Sequence, residues 1–261
     1  MGIEAWQSLV HVCRRWRGLV FESPRRLNLR LFCTHKTPTS DKLDVWPALP
    51  LLIEGAMAST QSLDNIIVAL GQSNCVCQVI LRNLAGWQLE KVMVAMEVPF
   101  PELTDLRFFS NDRDETVPVI PDSFLGGSAP RLLSFTLARI PFPGLPKLLL
   151  SATNLICLRF FDVPHSGYIS PEAIVALISA LSSLERLSLE FRSPPSQSRP
   201  DWGSRRWPPS KRSVIPALNS LLFKGVVEYL EDLVTSIDAP QLESLYITFF
   251  NQIDFHTPRL A

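Results

Sequence analysis

Histidine is scarce in this sequence, with 4 in 261 residues. His11, His35, His165 and His256 lie far apart, and no Ser–His–Asp order or nucleophile-elbow motif accompanies them, which argues against a hydrolase. Net charge is absent: 25 Lys and Arg balance 25 Asp and Glu. No long-range field therefore steers the chain toward nucleic acid or an anionic membrane. No apolar run approaches the roughly 20 residues that span a bilayer. The apolar stretch from Trp6 to Phe21 is broken by Arg14, Arg15 and Arg17, so it is no signal-peptide core. Met1-Gly2 starts like a myristoylation signal, but Trp6 stands where Ser or Thr is needed. Asn-x-Ser/Thr does not occur, and the 5 cysteines (Cys13, Cys33, Cys75, Cys77, Cys157) are odd in number and scattered through apolar segments. Free core thiols in a reducing compartment, cytoplasmic or nuclear, are the simplest expectation.

The chemistry-bearing motifs are equally thin. Cys75-x-Cys77 has no second ligand pair near it in sequence, as structural zinc would require. Gly126-Gly127 lacks phosphate-loop spacing. Asp112, Asp114 and Glu115 read as a solvated acidic turn. The chain is accordingly expected to be no enzyme, with no catalytic residue, no cofactor and no metal.

Leucine is what abounds, at 39 residues, beside 22 prolines. One motif uses it repeatedly: an apolar residue, two others, an apolar residue, one other, an apolar residue. The copies are Val76-Val79-Leu81, Leu103-Leu106-Phe108, Leu132-Phe135-Leu137, Leu155-Leu158-Phe160, Leu184-Leu187-Leu189, Leu218-Leu221-Phe223 and Leu242-Leu245-Ile247. Their first positions are 27, 29, 23, 29, 34 and 24 residues apart, and Pro101, Pro130, Pro216 and Pro240 each precede one by two residues. Alternation of this kind makes a strand with one buried face, which a single short strand cannot cover alone. Parallel stacking of the copies would join the rows into one core.

Helical spacing fills the intervals. Pro171 to Ser182 has Ser170 as N-cap, Pro171 at the first position, and Ile174, Leu177, Ile178 and Leu181 on one face. Val226 to Ile237 is expected to turn Val227, Leu230, Val234 and Ile237 inward, with Glu228, Glu231 and Asp232 outward. Leu63 to Leu70 is a shorter helix, and Trp87, Leu89, Val92, Val94 and Met96 suggest another. Strand, loop and helix at this period make a leucine-rich-repeat unit. The Asn that normally bonds the turn backbone occurs once, at Asn111; Ile140, Val163, Arg192, Val226 and Phe250 replace it elsewhere. The expected fold is α/β: a leucine-rich-repeat solenoid, with a curved parallel sheet and helices on its outer side.

Residues between the buried positions must then point to the concave face. One row is Arg82, Phe109, Ala138, Phe161, Glu190 and Lys224. The other is Ile80, Arg107, Thr136, Arg159, Ser188, Leu222 and Tyr246. Aromatic and Arg side chains most often carry binding energy at protein interfaces. Ile80, Arg82, Arg107, Phe109, Arg159, Phe161, Glu190, Lys224 and Tyr246 are therefore candidate contacts for a protein partner. From Arg192 to Arg212 the chain gathers Arg192, Arg199, Arg205, Arg206, Lys211 and Arg212 around Trp202 and Trp207, against Asp201 alone. Basic residues beside aromatics can bind phosphates and stack bases, but the Pro and Ser content and the long repeat interval point to a disordered basic insertion at 192–213, with a docking or phospho-regulated site as the other reading. No nucleic-acid or membrane partner is expected.

At the N-terminus, Trp6, Leu9, Cys13, Trp16 and Val20 step by three and four residues along one helical face, ending before Ser23-Pro24. Leu27, Leu29 and Leu31 then alternate as a strand. Val12-Cys13-Arg14-Arg15-Trp16-Arg17 with Ser23-Pro24 resembles the last helix of an F-box and the link that follows it. The repeats, over about 45–250, resemble the irregular leucine-rich repeats of fungal F-box proteins. This resemblance implies a substrate receptor of a cullin–RING ubiquitin ligase, whose F-box docks the adaptor subunit and whose repeats hold a protein substrate. The leucine-proline start and early helices of an F-box are missing from the sequence. Residues 1–31 are thus expected to be an F-box remnant helix and linking strand, and 32–261 the repeats. Trp6, Leu9, Cys13, Trp16 and Val20 are the adaptor-binding candidates; as the other reading, they pack on the first repeats as a cap. The alternative function is a leucine-rich-repeat scaffold or inhibitor unconnected to ubiquitination.

Overall fold

Six of the seven repeated motifs become strands through a turn at the first residue. Leu103, Leu132, Leu155, Leu184, Leu218 and Leu242 donate their backbone N–H to the carbonyls of Phe100, Ala129, Ala152, Leu181, Ile215 and Ala239, at 3.0–3.4 Å. Pro101, Pro130, Pro216 and Pro240 occupy the second position of four of these turns, where the fixed φ of proline suits the geometry. The following residue then bonds to the copy before it: Leu133 N–H to Thr104 O at 2.8 Å, and Ile156 to Leu133, Glu185 to Ile156, Asn219 to Glu185 and Glu243 to Asn219, each at 2.9 Å. Every copy is thus aligned on its predecessor before its strand begins.

The computed structural model describes residues 12–22, 30–34, 43, 49–57, 60–112, 117–142, 147–192, 212–250 and 255–257. The strands are β1 (Leu31–Thr34), β2 (Leu51–Ala56), β3 (Val76–Leu84), β4 (Asp105–Ser110), β5 (Ser134–Ala138), β6 (Cys157–Val163), β7 (Arg186–Phe191), β8 (Ser213–Val214), β9 (Ser220–Gly225), β10 (Ile237–Asp238), β11 (Ser244–Phe249) and β12 (Phe255–Thr257). A 10-stranded sheet runs β1-β2-β3-β4-β5-β6-β7-β9-β11-β12 in chain order. Its neighbours pair in parallel except β12, which is antiparallel to β11. β8 and β10 form a separate parallel pair.

Parallel neighbours require crossovers. These carry helices α2 (Thr60–Leu70), α3 (Gly86–Ala95), α4 (Lys147–Ser151), α5 (Pro171–Ser179) and α6 (Val227–Ser236), and a short 3₁₀ turn at Phe124–Gly127; α1 (Arg14–Glu22) precedes the sheet. Two register rows meet them. Val79, Leu106, Phe135, Leu158, Leu187, Leu221 and Leu245 form one, and Leu81, Phe108, Leu137, Phe160, Leu189, Phe223 and Ile247 the other. The first six of each row are buried, in one cluster with Leu63 and Ile66 of α2, Leu89 and Val92 of α3, Ile174 and Leu177 of α5, and Tyr229 and Leu233 of α6. Leu245 and Ile247, near the sheet's end, are partly buried against the same cluster. Leu52, Ile80 and Cys157 are buried but stand outside it, on the opposite face. Among the described residues no helix is long and apolar enough to cross a membrane.

The sheet begins earlier than the repeats in the sequence. Ile53 of β2 joins the Val79 row and Cys33 of β1 pairs beside Ile53. Leu49, Leu51 and Ile53 alternate without the two-residue gap, and Gly55 stands where the third apolar residue belongs, so the motif is hidden.

Several expectations need correction. α5 starts as expected, with Ser170 Oγ accepting from Ala173 N–H at 3.2 Å, but ends at Ser179 rather than Ser182. α6 is rotated: Tyr229, Leu230 and Leu233 are inward and Val234 is exposed. Tyr229 decides this phase. Its hydroxyl donates to Ile169 O at 3.0 Å, and its ring packs 5.0 Å from Phe191 and 5.6 Å from Phe223. On α3, Trp87 and Val94 face outward, and Lys91 lies over the Trp87 ring. Asn111 is exposed, and its neighbours bond the turn instead. Ser110 Oγ donates to Leu84 O at 3.0 Å and accepts from Asp112 N–H at 3.1 Å, while Asp112 Oδ2 accepts from Gly86 N–H. At the edges of the insertion expected at 192–213, Arg192 pairs with Asp162 and Ser213–Val214 is a strand. Residues 193–211, with Arg199, Trp202, Arg205, Arg206, Trp207 and Lys211, lie outside the described residues.

Candidate functional site

The side of the sheet away from the helices carries the rows expected to meet a partner. Ile80, Arg107, Thr136, Arg159, Ser188, Leu222 and Tyr246 are successive register partners from β3 to β11. In the other row, Phe109–Ala138–Phe161 and Glu190–Lys224 are in register. This row breaks twice, because the β3–β4 register shifts after Leu81 and the β6–β7 register after Phe160. Asn83 and Asp162 lie in those shifts with φ of 57° and 51°, a left-handed conformation that needs support from its surroundings. Arg82 still reaches Phe109, its guanidinium 5.9 Å from the ring centroid.

Burial separates these candidates. Ile80, at 7% exposure, is a covered apolar side chain, and Thr136 and Ser188 at 2% and 8% form the floor. Arg107, Phe109, Arg159, Phe161, Glu190, Lys224 and Tyr246 are partly exposed, and Arg82 is exposed. Long side chains thus stand over short ones on the intervening strands.

The charges differ in how fully they are matched. Arg82 Nη1 lies 2.6 Å from Glu54 Oε1. Arg107 is held by Asp105 through two bonds of 2.8 and 2.6 Å, and this hydrogen bonding raises its pKa. Arg159 has no hydrogen bond or ion pair among the described residues. At the strand ends, Arg139 Nε donates to Asp162 Oδ2 at 2.9 Å and Arg139 Nη1 to Ser110 O at 3.3 Å, while Arg192 Nε lies 3.5 Å from Asp162 Oδ1. Burial pushes the Glu190 carboxyl up; Lys224 opposes the shift and Asp162 adds to it. Thr136 Oγ1 is buried without a hydrogen-bond partner among the described residues. The sequence reading missed the Arg139–Asp162–Arg192 group. Its members follow the buried triplets and meet only when successive strands align, Arg139 and Asp162 being 23 residues apart.

The N-terminal candidates divide differently. α1 ends at Glu22, before Ser23-Pro24, but Cys13 and Trp16 are exposed, Trp16 by 48%. Phe21 of α1 packs on the core, and the Val20 side chain lies outside the described ones. Trp6 and Leu9 lie outside the described residues, as do Leu27 and Leu29.

Groups considered for chemistry stay apart. His165 lies in a short 3₁₀ turn, and His11 and His35 are outside the described residues. Cys75 and Cys77 are partly buried and free; burial, then Glu102, pushes the Cys77 thiol up. Asp114 and Glu115 lie outside the described residues. Among the described residues no group of three or more His, Cys, Asp or Glu could hold a metal ion. The chain matches no family model and no curated protein sequence. What the open face offers is binding chemistry: a guanidinium without a carboxylate, two aromatic side chains in one row, and an unpaired hydroxyl between two arginines.

Proposed function

We propose that the chain is a leucine-rich-repeat solenoid acting as a noncatalytic protein-recognition module, with the open side of the sheet as its concave binding face. The observation that carries this reading is the continuous register from Ile80 through Arg107, Thr136, Arg159, Ser188 and Leu222 to Tyr246. It lays mixed polar, basic and aromatic side chains on a hydrogen-bonded support, whose rigidity lowers the entropy lost on binding. The resemblance of α1 and its flanks to the end of an F-box extends the reading to a substrate receptor of a cullin–RING ubiquitin ligase. The exposed Trp16 supports that extension, since an adaptor contact requires apolar surface left uncovered by the repeats.

The test has two arms. Phe109, Arg159 and Phe161 are replaced by Ala, and cross-linked cellular partners are compared with wild type alongside a thermal melt. Lost partners at an unchanged melting point support the binding face; retained partners refute it. Co-purification of the full chain with the ligase adaptor, abolished by Trp16→Asp, supports the ligase role. A chain that never carries the adaptor would instead be a scaffold or inhibitor unconnected to ubiquitination.

A further inference from the structure

The open face has one place where a positive charge, an unpaired hydroxyl and an aromatic pair converge. It is centred on β5, at Thr136 and Ala138. In register on β4 stand Arg107 and Phe109, and on β6 Arg159 and Phe161. Adjacent strands are about 4.8 Å apart, so the β4 and β6 side chains face each other across roughly 10 Å of trough floored by small residues. Along the strands, the Arg row and the Phe row are separated by two residues, about 6.7 Å.

The two arginines are not equivalent. Arg107 is committed to Asp105 through two hydrogen bonds. Arg159 has no hydrogen-bond or ion-pair partner among the described residues, and its register neighbours Thr136 and Ser188 are neutral. Thr136 Oγ1, in a residue 2% exposed, also lacks a partner. An unmatched guanidinium beside an unmatched hydroxyl fits one anionic oxygen group. A single unpaired Arg balances a carboxylate, whereas a phosphate monoester near −2 calls for more than one free cation.

We propose that this trough takes a carboxylate side chain from an extended segment of the protein partner. Arg159 binds the carboxylate, Thr136, covered in the unbound chain, donates its hydroxyl to it once its cover is displaced, and an apolar side chain two residues away sits over Ala138 between Phe109 and Phe161. Side chains two apart in an extended peptide share a face and match the spacing of the two rows. The recognition signature is therefore an acidic and an apolar residue separated by one position. This inference rests on the open face being a protein-binding surface.

The experiment titrates the full chain with four capped hexapeptides. Two contain Glu-Ser-Leu or Leu-Ser-Glu, a third has Gln for Glu, and a fourth has phosphoserine for Glu. Affinity and the Arg159 side-chain NMR signal are followed together. A Glu peptide is expected to bind and shift that signal, while Gln for Glu and Arg159→Gln each weaken binding by about tenfold or more. Arg159→Lys restores part of the affinity, Thr136→Val weakens it by a smaller factor, and Arg131→Gln in the turn before β5 leaves it unchanged. Equal binding of the Glu and Gln peptides, no effect of Arg159→Gln at an unchanged melt, no binding of any peptide at millimolar concentration, or tighter binding of the phosphoserine peptide would each overturn the proposal. The broader recognition reading survives such a result if cross-linked partners are still lost on combined replacement of Glu190, Lys224 and Tyr246 at an unchanged melt.

Discussion

Leu158 and Arg159 are consecutive residues of one strand, but their environments differ in almost every respect. Leu158 lies under the helices at 0% exposure, between Phe135 and Leu187 in an apolar row. Arg159 points the other way, half covered, between Thr136 and Ser188. On the helix side each inward position is set by volume, because a close-packed interior leaves no room for exchange. On the open side the backbone support is the same, but packing fixes few identities. Stability is concentrated on one face, and packing constrains the half-exposed side chains of the other less.

The largest expected effect tests this division directly. Leu158→Ala and Leu187→Ala should each destabilise the chain by about 2–5 kcal/mol in urea unfolding, the range for deleting a buried leucine side chain. Arg159→Ala should change stability by no more than about 0.5 kcal/mol, as a surface change away from caps and ion pairs does. If the leucine variants lose under about 1 kcal/mol, or the arginine variant loses as much as they do, the two faces are not divided in this way.

A smaller effect sharpens the comparison through polar atoms. On the helix side the Tyr229 hydroxyl is hydrogen-bonded to Ile169 O. Tyr229→Phe should cost about 1–2 kcal/mol, by leaving that buried carbonyl without its donor. On the open face Thr136 Oγ1 has no such bond, so Thr136→Val should stabilise the isolated chain by about 1 kcal/mol. Opposite signs for two hydroxyl deletions are the expected result. Destabilisation by both would mean that Thr136 has a hydrogen bond within the folded chain, and would remove one support for its role toward a partner.

The same division explains what the sequence could and could not reveal. The seven strands from β3 to β11 in the main sheet were legible because their buried side repeats an apolar spacing. The rows of the open face followed from strand alternation. The strand expected from Leu27, Leu29 and Leu31 is described from Leu31 onward, as β1; β2 was obscured by Gly55 and by the shift of Leu49, Leu51 and Ile53, and the α6 phase by Tyr229, whose polar tip hid its role as a core ring. The exposure of the candidate residues was only partly legible. Alternation gives the face a side chain points to, but not how much its neighbours cover it. Ile80 is therefore buried on a face expected to be open. The Arg139–Asp162–Arg192 group was not readable, since it depends on strand ends displaced by positive φ at Arg139 and Asp162.

The smallest expected effect concerns pH and separates burial from attraction at Glu190. Burial is the largest influence on this carboxyl and raises its pKa, with Lys224 pulling in the other direction. The folded chain then holds the Glu190 proton at a higher pH than the unfolded chain does. Between the unfolded pKa, about 4.3, and the raised folded value, the folded state binds more protons, so rising pH lowers stability across that window. Above it the ionised, partly buried carboxylate destabilises the fold; below the unfolded pKa it does not. Glu190→Gln should therefore raise the melting temperature slightly at about pH 7, and the difference from wild type should shrink as pH falls toward 4. Paired melts across that range measure it. A variant less stable than wild type at neutral pH would show that Glu190 gains more from Lys224 than it loses by burial. That attraction would then contribute to the fold, and the open face would share in stabilising it.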